Sequence, residues 1–134
     1  MATRSTIAVR HQDGTFSQIY CHWDGYPEHN GKILAEHYNS LERAEALVAL
    51  GDMSSLDASI ECPEGHTFDS SVRGYSVFYG RDRGESDVEA RRFADGPTFL
   101  VDRDSQQYDY IFAEGRWFIL GNRSLTPQIG RAHV

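Results

Sequence analysis

The residues best suited to chemistry lie in one run, Tyr20 to His29, which holds two histidines, a cysteine, three aromatic rings and two carboxylates. The run follows an expected strand and enters an expected helix. Such a junction presents side chains and free helix N–H groups to the same point, which suits an anionic ligand. Trp23 and Tyr26 can stack on a base, and His22 or Asp24 can bind its polar edges. Taken singly, each residue also fits a packing or turn-forming role, but the whole run predicts a ligand-binding site.

A second cluster contains Arg81 and Arg83, within the charged run from Tyr79 to Glu85. If this run continues a strand, the two arginine side chains point to the same face. They can then hold one phosphate group between them. A solvated sheet edge that prevents aggregation is the competing interpretation. Arg4 and Asn122 complete the expected ligand contacts, Arg4 to phosphate and Asn122 to polar atoms.

Metal binding and catalysis are the chemical alternatives. Four side chains supply ligands that suit tetrahedral zinc: Cys21, His22, Cys62 and His66. Adjacent strand residues point to opposite faces, so Cys21 and His22 do not readily share one ion or form a thiol–imidazole pair. No nucleophile elbow, phosphate-binding loop, dinucleotide fingerprint or zinc-protease motif occurs. We therefore expect no catalytic residue, no metal and no cofactor.

Composition limits the kind of partner. The chain has 134 residues, of which 40% are hydrophobic and 25% charged, and this predicts a single folded domain. The net charge of −7 argues against long nucleic acid, which requires a dominant positive face. No apolar run is long enough for a membrane span, and the first residues do not resemble a signal peptide. We expect a cytoplasmic protein that binds no membrane.

The apolar pattern predicts the elements that position these residues. Strands are expected at Thr6 to Arg10, Thr15 to Trp23, Tyr75 to Tyr79, Thr98 to Val101, Tyr108 to Ala113 and Arg116 to Leu120. Two consecutive helices are expected after Pro27, the second capped by Ser40 and ended by Gly51. A long ordered loop from Asp52 to Arg73 follows. The sequence predicts an α+β fold: an antiparallel sheet of about five strands with two consecutive helices packed on one face.

The run Tyr20 to His29 (YCHWDGYPEH), preceded by Ala2 to Ser5 (ATRS), resembles a widespread family of small phage and prophage proteins. The run Arg81 to Glu85 (RDRGE) and the hairpin from Tyr108 to Trp117 extend the likeness across most of the chain. The family is similar to the Thoeris anti-defence proteins, which sequester cyclic ADP-ribose isomers made by bacterial TIR-domain enzymes. The resemblance implies a five-stranded antiparallel sheet with two helices, and assembly as homodimers or larger homo-oligomers.

One function is expected from these observations, with two alternatives. The expected function is that of a phage-encoded, non-catalytic binder that sequesters a small cyclic nucleotide immune signal in the host bacterial cytoplasm and so blocks anti-phage defence. Arg4, Arg81 and Arg83 would then hold phosphate. The first alternative is an acidic protein-interaction inhibitor of a host defence or transcription complex, which the net charge of −7 motivates. The second is a small metal-dependent hydrolase.

Overall fold

A computed structural model describes residues 2–121 and 124–126 of the chain. The elements in chain order are β1 (Ser5–Arg10), β2 (Phe16–Cys21), a π-helical turn (Pro27–Gly31), α1 (Lys32–His37), α2 (Leu41–Val48), β3 (Met53–Ser55), β4 (Val77–Phe78), α3 (Tyr79–Arg83), β5 (Arg91–Phe93), α4 (Gly96–Asp102), β6 (Tyr108–Ala113), β7 (Arg116–Gly121) and β8 (Ser124–Thr126). None of the helices in this part of the chain is long and apolar enough to cross a membrane.

The strands form one mixed sheet. Seven lie side by side in the order β4-β3-β2-β1-β6-β7-β8, and β5 pairs with the first half of β2. The β1–β2 and β6–β7 hairpins are antiparallel, whereas β1 pairs with β6 and β2 with β3 in parallel. The expected antiparallel sheet of about five strands with two helices is therefore wrong, although the α+β class holds. Local patterns do not encode the parallel pairings, because these join segments that are far apart in the chain.

The two consecutive helices α1 and α2 cover one face of the sheet. Ser40 caps α2 as expected, because its side chain accepts a hydrogen bond from the Arg43 amide. One buried apolar cluster joins these helices to the first three strands: Leu34, Tyr38, Ala44, Leu47 and Val48 with Ile7, Val9, Ile19 and Met53. This packing fixes the end of β2, where the Tyr20–His29 run begins.

On the opposite face, α4 covers part of β2. The segment from Thr98 to Val101, expected as a strand, belongs to this helix. The Asp95 carboxylate accepts a 2.8 Å hydrogen bond from the Thr98 amide, and this helix cap outweighs the β-propensity of a short apolar run. Phe99 of α4 stacks on Phe16 of β2 with ring centroids 4.8 Å apart. Helices on both faces account for the apolar character of both sides of β2.

The expected loop begins later than its predicted start at Asp52. Met53–Ser55 forms β3, within the segment expected to be a loop, and Met53 pairs with Cys21 in parallel. Residues 56–76 then run without helix or strand, apart from an isolated bridge between Ser59 and Tyr75. The Tyr38 hydroxyl donates a 2.6 Å hydrogen bond to the carbonyl of Asp57, which ties the loop to the end of α1.

Candidate functional site

The Tyr20–His29 run leaves the sheet through a tight turn at Asp24 and Gly25. Asp24 has a φ of 56°, in the left-handed region. The buried Tyr110 of β6 donates a 2.5 Å hydrogen bond from its hydroxyl to the Gly25 carbonyl. A Cβ at Gly25 would lie 2.6 Å from Cβ of Ser5, so the close approach of the turn to β1 requires glycine. Two strands therefore fix the turn.

Arg4 and His22 lie beside Tyr20, and Trp23 packs on His22. The Tyr20 hydroxyl lies 2.7 Å from Nδ1 of His22. The His22 and Trp23 rings meet edge to face, with centroids 4.7 Å apart and an interplanar angle of 88°. Burial raises the pKa of Tyr20, and the positive charge of the nearby Arg4 opposes this shift. Trp23 is 44% exposed, which leaves area for a stacked ligand ring.

A second set of rings continues from Tyr20 to Arg83. The Tyr79 hydroxyl lies close enough to Tyr20 to affect its pKa. The Tyr79 and Phe68 rings lie 5.6 Å apart, and the guanidinium carbon of Arg83 lies 4.8 Å from the centre of the Phe68 ring. Arg83 also approaches Glu85 at 3.6 Å, yet its side chain stays 54% exposed. We define the aromatic–arginine surface as Arg4, Tyr20, His22, Trp23, Phe68, Tyr79 and Arg83.

Arg81 has a different environment. The strand expected to direct Arg81 and Arg83 to one face is wrong, because both lie in α3, where residues two positions apart do not share a face. The Arg81 guanidinium bonds the Asp82 carboxylate, with Nε 2.9 Å from Oδ1. It also donates to the carbonyls of Ile60 and Ser76. These contacts hold the 56–76 loop against α3, so Arg81 has a structural role.

The remaining predicted contacts are local or lie elsewhere. The Tyr26 ring packs beside His29, with centroids 6.1 Å apart. The Asp24 carbonyl accepts a 3.3 Å hydrogen bond from the Asn30 amide, which closes the π-helical turn on the strand end. Asn122 lies outside the described residues. Of the residues predicted from the sequence, Arg4, His22, Trp23 and Arg83 thus belong to the aromatic–arginine surface.

Tyr20, Phe68 and Tyr79 were not predicted as ligand contacts. Tyr20 lies inside the first run and Tyr79 begins the second, but the two tyrosines approach each other only because β3 and β4 bring the two runs together. Phe68 lies in a loop of small and polar residues. An aromatic ring among such residues is the one signal that sequence reasoning could have used.

A polar cavity of about 490 Å³ lies beside Gln107, which bonds the backbone of Arg4. Gln107 lines the cavity, and its Oε1 accepts a 2.9 Å hydrogen bond from the Arg4 amide. Arg103 and Asp109, both buried, also line it and pair at 3.2 Å. Nε of Arg103 bonds to no atom of the described residues. The cavity therefore offers amide and guanidinium donors next to the aromatic–arginine surface.

The residues considered for zinc are separated in the fold. Cys21 is fully buried, and this burial raises the pKa of its thiol to about 12. Cys62 and His66 lie in the loop, where the Asp82 carboxylate is 3.7 Å from the Cys62 sulfur and 3.5 Å from Nε2 of His66. Within residues 2–121 and 124–126, no group of three or more histidine, cysteine, aspartate or glutamate side chains could hold a metal ion.

Comparisons of the chain with protein-family models, with characterised proteins and with solved structures give no match. A function must therefore be argued from the contacts of the chain itself. Among the contacts of the described residues, the aromatic–arginine surface combines the exposed ring of Trp23 with guanidinium groups. It fits a ligand that is both flat and anionic.

Proposed function

We propose that the protein is a non-catalytic binder that captures a small cyclic nucleotide on the aromatic–arginine surface. The observation that supports this most strongly is the exposed Trp23 ring, which connects through His22 and Tyr20 to the Arg4 guanidinium. A nucleotide presents a flat base and anionic phosphates, and this surface offers a ring and a cation. A charge-assisted phosphate contact contributes about 1.5–3 kcal/mol and a base stack about 1–3 kcal/mol.

In this proposal Arg4 and Arg83 bind the phosphates, and Trp23 stacks on a base. Tyr20 remains protonated at neutral pH, since burial raises its pKa, and its hydroxyl can therefore donate a hydrogen bond to the ligand. Gln107, in the adjoining cavity of about 490 Å³, offers an amide for the polar edge of a base or sugar. Arg81 is not included, because its guanidinium already binds the protein.

The resemblance to phage anti-defence proteins extends the proposal to a biological role. The protein is then phage-encoded and acts in the cytoplasm of the host bacterium. There it sequesters a cyclic ADP-ribose isomer or a related cyclic nucleotide and so blocks anti-phage defence. Its assembly is a homodimer or a larger homo-oligomer. The net charge of −7 favours small phosphorylated ligands, held by local arginines, over nucleic acid polymers.

Titration calorimetry with cyclic ADP-ribose isomers tests this function. The titrated protein is then heated, and the released nucleotide is identified by chromatography. Capture requires saturable binding and release of the same nucleotide. Lack of binding, or release of a converted nucleotide, contradicts the proposal.

Two arginine variants give a matched comparison. Arg83→Ala removes a guanidinium that stacks on Phe68, and we expect the affinity to fall by about 10- to 150-fold. Arg116→Ala removes one that stacks on Phe118 at the far end of the sheet, and it should leave the affinity unchanged. An acidic interaction inhibitor would give the reverse pattern: both arginine variants would stay active, while neutralising exposed acidic residues would abolish activity.

A further inference from the structure

His11 lies between a serine and a carboxylate. Catalytic sites use the same arrangement, in which a histidine base contacts a nucleophilic serine on one side and an orienting carboxylate on the other. Nε2 of His11 is 2.8 Å from Oγ of Ser17, and Nδ1 is 2.6 Å from Oε2 of Glu45. Ser17 lies on β2 and Glu45 on α2, while His11 directly follows β1. These distances are within the range required for proton transfer from a serine to a histidine.

All three side chains line one cavity of about 260 Å³. The backbone and side chain of Ser17 are together only 4% exposed, so the cavity is the route by which a reagent reaches its hydroxyl. Apolar residues at the end of α2 and before β5 complete the walls: Val48, Ala49 and Ala90. A space of this size suits a short acyl group and excludes long chains.

Arg92 supplies a positive charge next to the serine. It is directly opposite Ser17 in the antiparallel pairing of β2 with β5, so both side chains stand on the same face of the sheet. Arg92 also lines the same cavity. A guanidinium in this position can stabilise the negative oxygen that forms when a hydroxyl attacks a carbonyl.

We propose that Ser17 and His11 form an acyl-transfer site for small esters, with Glu45 as the positioning residue. Oγ of Ser17 attacks the ester carbonyl while its proton passes to Nε2 of His11. The bond to the leaving alcohol then breaks, and the alcohol takes that proton. Water attacks the acyl-serine, gives a proton to His11, and releases the acid as the proton returns to Ser17. This site is separate from the aromatic–arginine surface, which binds its nucleotide without converting it, and the proposal is independent of nucleotide capture.

Hydrolysis of p-nitrophenyl acetate by the intact protein tests the site. We expect nitrophenolate release and an acetyl group on Ser17, located by mass spectrometry of peptides from a rapidly quenched reaction. Ser17→Ala should abolish both signals, whereas Ser71→Ala, at an exposed serine of the loop, should change neither. An acetyl group found on other residues but never on Ser17, or no nitrophenolate above the buffer rate, would overturn the proposal.

His11→Gln distinguishes a catalytic role from a purely structural one, in which these contacts only attach α2 to the sheet. Loss of the base should lower the rate by about 100-fold or more, with the circular dichroism spectrum unchanged. Glu45→Gln should lower kcat by about tenfold or more and leave KM unchanged, because Glu45 acts through His11. If the folded His11→Gln protein retains the full rate, the acyl-transfer site is refuted.

Discussion

The Tyr110 hydroxyl donates to the carbonyl of Gly25 across 85 positions of the chain. Both residues are buried, and Gly25 comes two positions after the exposed Trp23. A residue in the middle of β6 thus determines the direction of the segment that carries Trp23 beyond the end of β2. The aromatic–arginine surface depends on this contact although Tyr110 is not part of it.

Tyr110→Phe should therefore destabilise the fold and weaken ligand binding together. The Gly25 carbonyl would stay buried without its donor, which costs about 1–3 kcal/mol. Urea denaturation measures the loss of unfolding free energy, and calorimetry measures nucleotide affinity. Tyr108→Phe, two positions earlier on the same strand and half-buried, is the matched control and should change both quantities less.

Trp23→Ala should separate binding from stability. Because Trp23 is 44% exposed, we expect the unfolding free energy to change by less than about 0.5 kcal/mol. Loss of the stacking ring should weaken cyclic nucleotide binding by about 5- to 150-fold. Trp23→Phe, which keeps a smaller ring, should recover part of the affinity. Equal affinities in the three proteins would exclude Trp23 from the site.

Asp82→Asn should loosen the 56–76 loop. The Asp82 side chain is fully buried and accepts hydrogen bonds from the Phe78 amide at 2.8 Å and from Arg81. Removal of its charge leaves Arg81, itself only 22% exposed, without its partner, at a cost of about 3 kcal/mol. Limited proteolysis should show faster cleavage within the loop, with Asp87→Asn, at an exposed aspartate, as the control.

The lowered pKa of Asp82 predicts that the free energy of unfolding depends on pH in the acid range. Burial alone would raise the pKa of Asp82, but hydrogen bonds from Arg81 and from the Phe78 amide, with the Arg81 charge, lower it below 3.8. Its stabilising contribution is therefore complete above pH 3.8 and is lost as the pH falls through the lower folded-state pKa. Denaturation between pH 2 and 5 should show a steeper loss in the native protein than in Asp82→Asn.

The two thiols should differ in reactivity. Cys21 is fully buried with its pKa raised to about 12, whereas Cys62 is exposed. Iodoacetamide at neutral pH should modify Cys62 alone in the folded protein, because the thiolate is the reactive form. In urea both cysteines should react. Modification of both at similar rates without denaturant would contradict the buried position of Cys21.

The parts of the fold that were predicted from the sequence are those formed by residues close to one another in the chain. The β6–β7 hairpin is confirmed, and its turn residues Glu114 and Gly115 have φ values of 54° and 80°, as a tight hairpin turn requires. Strands also form at the two ranges expected near the start of the chain, as β1 and β2, and the Ser40 cap is confirmed. The start of α4 had comparable local signals in Asp95 and Pro97, but the apolar run after them was interpreted as a strand.

The candidate site was harder to predict because it combines segments whose meeting depends on parallel strand pairing. His22 and Trp23 are adjacent in the sequence, so their contact could be predicted from it. The approach of Tyr79 to Tyr20 requires β3 to lie beside β2, a pairing with one aligned residue pair, Cys21 with Met53. The predicted position of Arg81 is wrong because the charged run forms a short helix and not a strand. Gly84, with a φ of 77°, ends that helix.

The parallel pairing of β1 with β6 has a consequence for the newly made chain. Thr6 bonds Asp109, 103 positions away, so the ribosome releases β1 long before its inner neighbour exists. At bacterial and eukaryotic synthesis rates this interval is roughly 5 to 20 seconds. Throughout it the first hairpin has a bare edge that invites association with other nascent chains. The sheet can close only after β6 has been made, and chaperones that shield such edges should increase the yield of native protein.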